Sequence, residues 1–83
     1  MQVSLSEGTR NQLLNDLCVK LGFCLPMEGR NRILDDPPEY LDEFVDLIYE
    51  FEGLNPETAD LHVKRMIRDM IIKAHHQTSQ GAA

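Results

Sequence analysis

Leu41, Phe44, Val45, Ile48 and Phe51 recur at the spacing of one helix face, and the chain around them is cut by Gly22, Pro26, Pro37-Pro38, Gly53 and Pro56. A strand would bury alternate residues; this pattern follows the 3.6-residue period of a helix. Proline and glycine are the residues that start and stop such a period. Together they predict four helices, the second short, and no convincing strand.

Ser4 or Ser6 can cap the first helix, which runs from about residue 6 to 21 and ends at Gly22 in a left-handed turn. Leu13, Leu14, Leu17 and Leu21 share its core face, with Cys18 at the edge. Pro26 opens a second, short helix, PMEGRNRIL, weakened by Gly29 and anchored by Ile33 and Leu34. In the third, Asp36 is the expected cap, Pro37 and Pro38 occupy the first turn, and Gly53 ends it. In the fourth, Asn55 caps, Pro56 takes the first helical position, and Val63, Met66, Ile67, Met70, Ile71 and Ala74 face the core. From His76 onward the chain offers little to bury. The expected fold is all-α: a small four-helix bundle over residues 1–76 with a short second helix, then a frayed, disordered tail at 77–83. A chain of 83 residues makes one domain of this kind.

Charge is segregated along the chain. Residues 35–60 hold ten acidic side chains and no lysine or arginine, inside a molecule of net charge −6. That balance disfavours nucleic acid and anionic membranes as partners and suits a basic protein. No apolar run approaches the roughly 20 residues that span a bilayer. The N-terminus lacks the basic and apolar regions of a secretory signal. The expected setting is cytoplasmic, with Cys18 and Cys24 as reduced thiols.

On an ideal helix Glu39, Asp42, Glu43, Asp46 and Glu50 fall within about 100° of arc, opposite the apolar face. The pairs Glu39–Glu43, Asp42–Asp46 and Asp46–Glu50 each oppose helix formation by roughly 0.2–0.5 kcal/mol. Such a face reads as a docking surface for a basic protein or a mimic of nucleic-acid phosphates, with Tyr49 at its edge as an aromatic anchor. It also reads as a solvated face neutralised by Lys64, Arg65 and Arg68. A second surface, Leu61, Arg65, Arg68 and Ile72, lies within about 60° on the fourth helix. It fits either a homodimer interface or a helix buried on two sides.

Cys18 and Cys24 are six apart and lack zinc-ligand spacing, and only His62, His75 and His76 could join them. Adjacent His75 and His76 do not share a helix face. No nucleophile–base set, phosphate loop or metal motif is present. The chain reads as a non-catalytic binding protein without cofactor or metal.

In size, acidity and helical pattern the chain resembles the immunity proteins of colicin-type nucleases, four-helix proteins that block basic toxins with acidic helix surfaces. Asp46-Leu47-Ile48-Tyr49 matches a tetrapeptide of that family's binding motif. The family continues with Tyr-Pro where this chain has Glu50-Phe51. The resemblance implies an acidic helical binder as a type, and no site residue is carried over from it.

Overall fold

The computed structural model describes residues 1–55, 57 and 60–81. Four helices follow in order: α1 (Glu7–Leu21), α2 (Met27–Asp35), α3 (Leu41–Phe51) and α4 (Leu61–Gly81). Among the described residues there is no strand, only an isolated antiparallel bridge between Gln2 and Tyr40.

Both expected glycine stops are present. Ser6 caps α1, its hydroxyl accepting from the Thr9 N–H. Gly22 ends α1 at φ 75°, and its N–H donates to the Cys18 carbonyl. Gly53, at φ 71°, closes α3 as a Schellman turn. There the Leu54 N–H reaches the Tyr49 carbonyl at 2.9 Å and the Gly53 N–H reaches Glu50 at 3.1 Å.

The start of α3 differs from expectation. Asp36 follows the end of α2, its backbone N–H bonded to Arg32 and its carboxylate paired with the same residue at 3.3 Å. Pro37 and Pro38 lie outside the helix, which begins at Leu41. The cause is non-local. The first residues of the chain run alongside this connection, with Val3 N–H on the Glu39 carbonyl (2.7 Å) and Leu41 N–H on the Met1 carbonyl (2.9 Å). A helix started at Pro37 would forgo both bonds.

The cap of α4 also moves. Its side-chain acceptor is Asp60, which takes the His62 N–H at 2.8 Å. Asn55 instead accepts from the Glu57 N–H, shaping the connection; Pro56 lies outside the described residues. Ile67, Ile71 and Ala74 are buried, and Val63 and Met70 half-buried, whereas Met66 is exposed. Helical backbone continues past His76 to Gly81, into the segment expected as a tail; Ala82 and Ala83 lie outside the described residues.

α4 packs against both α1 and α3, and α2 against α1. The ends of α1 and α3 share a cleft with the start of α4, so α4 runs antiparallel to both. At the opposite end the N-terminal segment straps the bundle. Val3 and Leu5 are buried in the core, and the Ser4 N–H donates to His75 Nδ1 at 3.0 Å. Arg10 fixes this strap, donating to the Leu5 carbonyl at 2.6 Å and to the Leu34 carbonyl at 2.8 Å.

The expected free thiols are absent: Cys18 and Cys24 form a disulfide. The left-handed turn at Gly22 folds the connection back on the last turn of α1, leaving the two Cα atoms 4.2 Å apart. In the chain-entropy account, closing so short a ring stabilises by about 2 kcal/mol. Reduction, or Cys18→Ser with Cys24→Ser, should therefore lower the unfolding free energy by about that amount in urea titrations.

Gly29 is buried where α2 crosses α3. A Cβ there would lie 2.8 Å from Phe51 Cγ and 3.1 Å from Phe51 Cβ, the inflexible base of that side chain. Gly29→Ala gains about 1 kcal/mol of helix propensity but incurs overpacking of about 1–3 kcal/mol, so the net expected is a loss of stability. Gly8→Ala in α1, where a Cβ meets nothing, should gain stability in the same denaturation assay.

Candidate functional site

Asp42, Glu43, Asp46 and Glu50 are all exposed on α3, on the side away from the buried Leu41, Phe44, Val45 and Ile48. The helix places them together as the spacing predicts. Glu39 is exposed too, but precedes the helix and belongs to the segment bonded to Val3. The face is neutralised at one point. Arg68 of α4 pairs with Asp42, the one ion pair between α3 and α4 among the described residues. Asp42 is largely and Arg68 partly solvent-exposed, so the bond contributes at most about 1 kcal/mol. Lys64 and Arg65 make no ion pair with α3.

Tyr49 is 2% exposed and belongs to the core. Its ring meets Phe23 edge-on at 5.7 Å, and it is not available as an anchor on the surface of α3. Ile48 is fully buried, so half of the tetrapeptide shared with the immunity proteins faces inward. On α4, Leu61 is 76% exposed and lines a shallow depression with Lys64, Arg65 and Arg68. Ile72 is half-buried and packs against the core.

Among the described residues three buried side-chain polar atoms lack a partner, Arg10 Nε, the Tyr49 hydroxyl and Glu52 Oε1, and the sequence signalled none of them. The Tyr49 hydroxyl has no hydrogen-bond partner among the described residues, an arrangement that costs roughly 1–3 kcal/mol. Burial, and then the Asp60 carboxylate, push its pKa up. Glu52, after the last turn of α3, buries Oε1 without a partner among the described residues, and burial raises its pKa as well. Spacing places Tyr49 near the margin of the helix face, and Glu52 follows the helix; only the neighbouring connections decide that they are covered.

The end of α1, the end of α3 and the start of α4 enclose an open cleft of about 340 Å³. Among the described residues it is lined by Leu21, Phe23, Tyr49, Leu54, Asn55, Asp60 and Val63. No family model, curated protein or solved structure matches the chain.

The raised pKa of Glu52 gives a testable pH dependence. At low pH the carboxyl is protonated in folded and unfolded chains alike and carries no penalty. As pH rises the unfolded chain loses its proton first, so stability falls until the folded carboxyl has also ionised. Glu52→Gln should therefore melt higher than wild type at pH 7, and the difference should close below about pH 4 in calorimetry.

Proposed function

We propose that this chain is a non-catalytic protein-binding module whose acidic α3 face docks on a basic surface of another protein. The observation that carries the reading is the state of four carboxylates: Asp42, Glu43, Asp46 and Glu50 are exposed together, and among the described residues only Asp42 has a cation. Within the helix they repel one another, and a basic partner removes that repulsion as it binds. Their roles are steering and rim contacts, which set the association rate and its salt dependence. With Tyr49 buried, the aromatic anchor drops out of the reading, and Glu39 contributes from the turn before the helix.

The setting follows from the cysteines. A cytoplasmic location belonged with reduced thiols, whereas the Cys18–Cys24 bond supports an oxidising compartment. No described helix is long and apolar enough to cross a membrane.

One further reading has an observation of its own. The exposed Leu61, framed by Lys64, Arg65 and Arg68, supports self-association through α4. Ile72 is not part of that surface as first read, since it already packs on the core. Leu61→Asp with Arg68→Glu should then convert a dimer to a monomer in sedimentation velocity. A monomeric wild type removes this reading.

The test of the main proposal is affinity capture at low salt from lysate of the source organism. Wild type is compared with a variant carrying Asp42→Lys, Asp46→Lys and Glu50→Lys, and bound proteins are identified by mass spectrometry. A basic protein retained by wild type and lost from the variant is the expected result. Equal capture by both, with the variant folded, rejects the acidic face as the binding surface.

A further inference from the structure

α3 and α4 pack side by side and antiparallel, and their outer flanks carry opposite charge. The flank of α3 is acidic through Asp42, Asp46 and Glu50, all exposed. The flank of α4 beside it is basic through Lys64, Arg65 and Arg68, which with Leu61 line a shallow depression. The two stripes meet at one level, the Arg68–Asp42 ion pair. Because the helices are antiparallel, four residues on from Asp42 and four back from Arg68 reach a common level, about 6 Å along the seam. That level holds Asp46 on α3 and Lys64 on α4, with Arg65 next to it. None of these three makes an ion pair with a described residue. The remaining arginines are engaged elsewhere: Arg10 on the strap, Arg30 on Asn11 and Arg32 on Asp36.

An acidic stripe beside a basic stripe is its own complement. A two-fold axis laid along the seam between α3 and α4 carries the acidic stripe of one copy over the basic stripe of the other and keeps every residue at its level. Asp46 of each copy then faces Lys64 and Arg65 of the other. An axis across the seam opposes like stripes, and α4 packed on α4 sets Lys64, Arg65 and Arg68 against their own copies. Closed two-fold pairs, in which both copies bury the same patch, are the commonest symmetric assembly. Leu61, 76% exposed, adds apolar area that an ionic contact alone lacks. Pairing also relieves two strains at once: the repulsion of Asp42–Asp46 and Asp46–Glu50 on α3, and that of Lys64–Arg68 on α4.

We propose that the basic surface met by the α3 face is α4 of a second copy of this chain, in a two-fold dimer along the α3–α4 seam. The proposal rests on the reading of α3 as a docking face and names its partner.

The test is sedimentation velocity on the full disulfide-bonded chain at about 50 mM and about 500 mM salt, a range over which exposed charges become screened. Wild type should be dimeric at low salt, with Kd roughly tenfold weaker at high salt. Two charge reversals leave the Arg68–Asp42 pair intact: Asp46→Lys with Glu50→Lys on α3, and Lys64→Glu with Arg65→Glu on α4. Each variant alone should be monomeric. Mixed in equal amounts they should form a dimer again, since each now offers the charge that the other lacks. Circular dichroism checks that both are helical. Should a reversal fail to fold, Asp46→Asn with Glu50→Gln keeps the side-chain shapes and should weaken the dimer roughly tenfold. A wild type that is monomeric at low salt overturns the proposal. So does a dimer that survives the α3 reversal, because α4 is then paired without α3, and so does a mixture that stays monomeric. A monomeric wild type that nonetheless retains a basic protein from lysate, lost on reversal of α3, overturns the second copy as partner and leaves the docking face standing.

Discussion

Ile67, Ile71 and Ala74 of α4 are the residues on which the fold depends. They lie buried where α4 packs between α1 and α3. Each fully buried isoleucine is worth about 1.5–3 kcal/mol, a large share of the total stability of a small domain. α1 brings Leu13, Leu14 and Leu17 to this seam, and α3 brings Leu41, Phe44, Val45 and Ile48. α2 is secondary: it packs mainly on α1 and reaches α3 at the close contact of Gly29 with Phe51. The strap formed by Val3 and Leu5 then covers the far end of the core, held by Arg10.

This ordering of terms explains how α3 tolerates its charges. Repulsion between acidic neighbours on α3 amounts to a few tenths of a kcal/mol per pair, and the exposed Arg68–Asp42 bond returns no more than about 1 kcal/mol. Burial of the opposite face outweighs both several-fold. The acidic residues are therefore free of the task of holding the helix. Their arrangement can answer to something outside the molecule at little cost to the fold, and salt will change that external interaction more than it changes stability.

What the sequence disclosed, and what it withheld, divides along the range of the interaction. Gly22 and Gly53 were legible because a left-handed helix stop is a local demand that glycine meets without strain. Ser6 was legible as a cap for the same reason. The apolar faces of α1 and α3 followed from period alone. The start of α3 did not, because local proline chemistry pointed to Pro37 while hydrogen bonds to Met1 and Val3, far away in sequence, drew the chain the other way. Val3-Ser4-Leu5 carried an alternating signal, but three residues are too few to read as an extended segment. The disulfide was hidden in a spacing of six, which has meaning only once the turn at Gly22 is built. Tyr49 was placed at a margin by its angle, and the fate of a marginal residue depends on what the connections lay over it. The acidic face was legible in Asp42, Glu43, Asp46 and Glu50 but not in Glu39, which the strap holds ahead of the helix; its freedom from α4, apart from Asp42, required the packing.

The same local stops account for a concave feature that the fold builds from the ends of three helices. A left-handed glycine turns the chain sharply, so the residue that follows it is delivered back against the bundle. Phe23 follows Gly22, and Leu54 follows Gly53; both become walls of the cleft. The disulfide across Gly22 then limits how far Phe23 can move, and the Schellman bonds do the same for Leu54. Tyr49 marks the other side of the balance. Phenylalanine would fill the same space without a hydroxyl that finds no partner among the described residues.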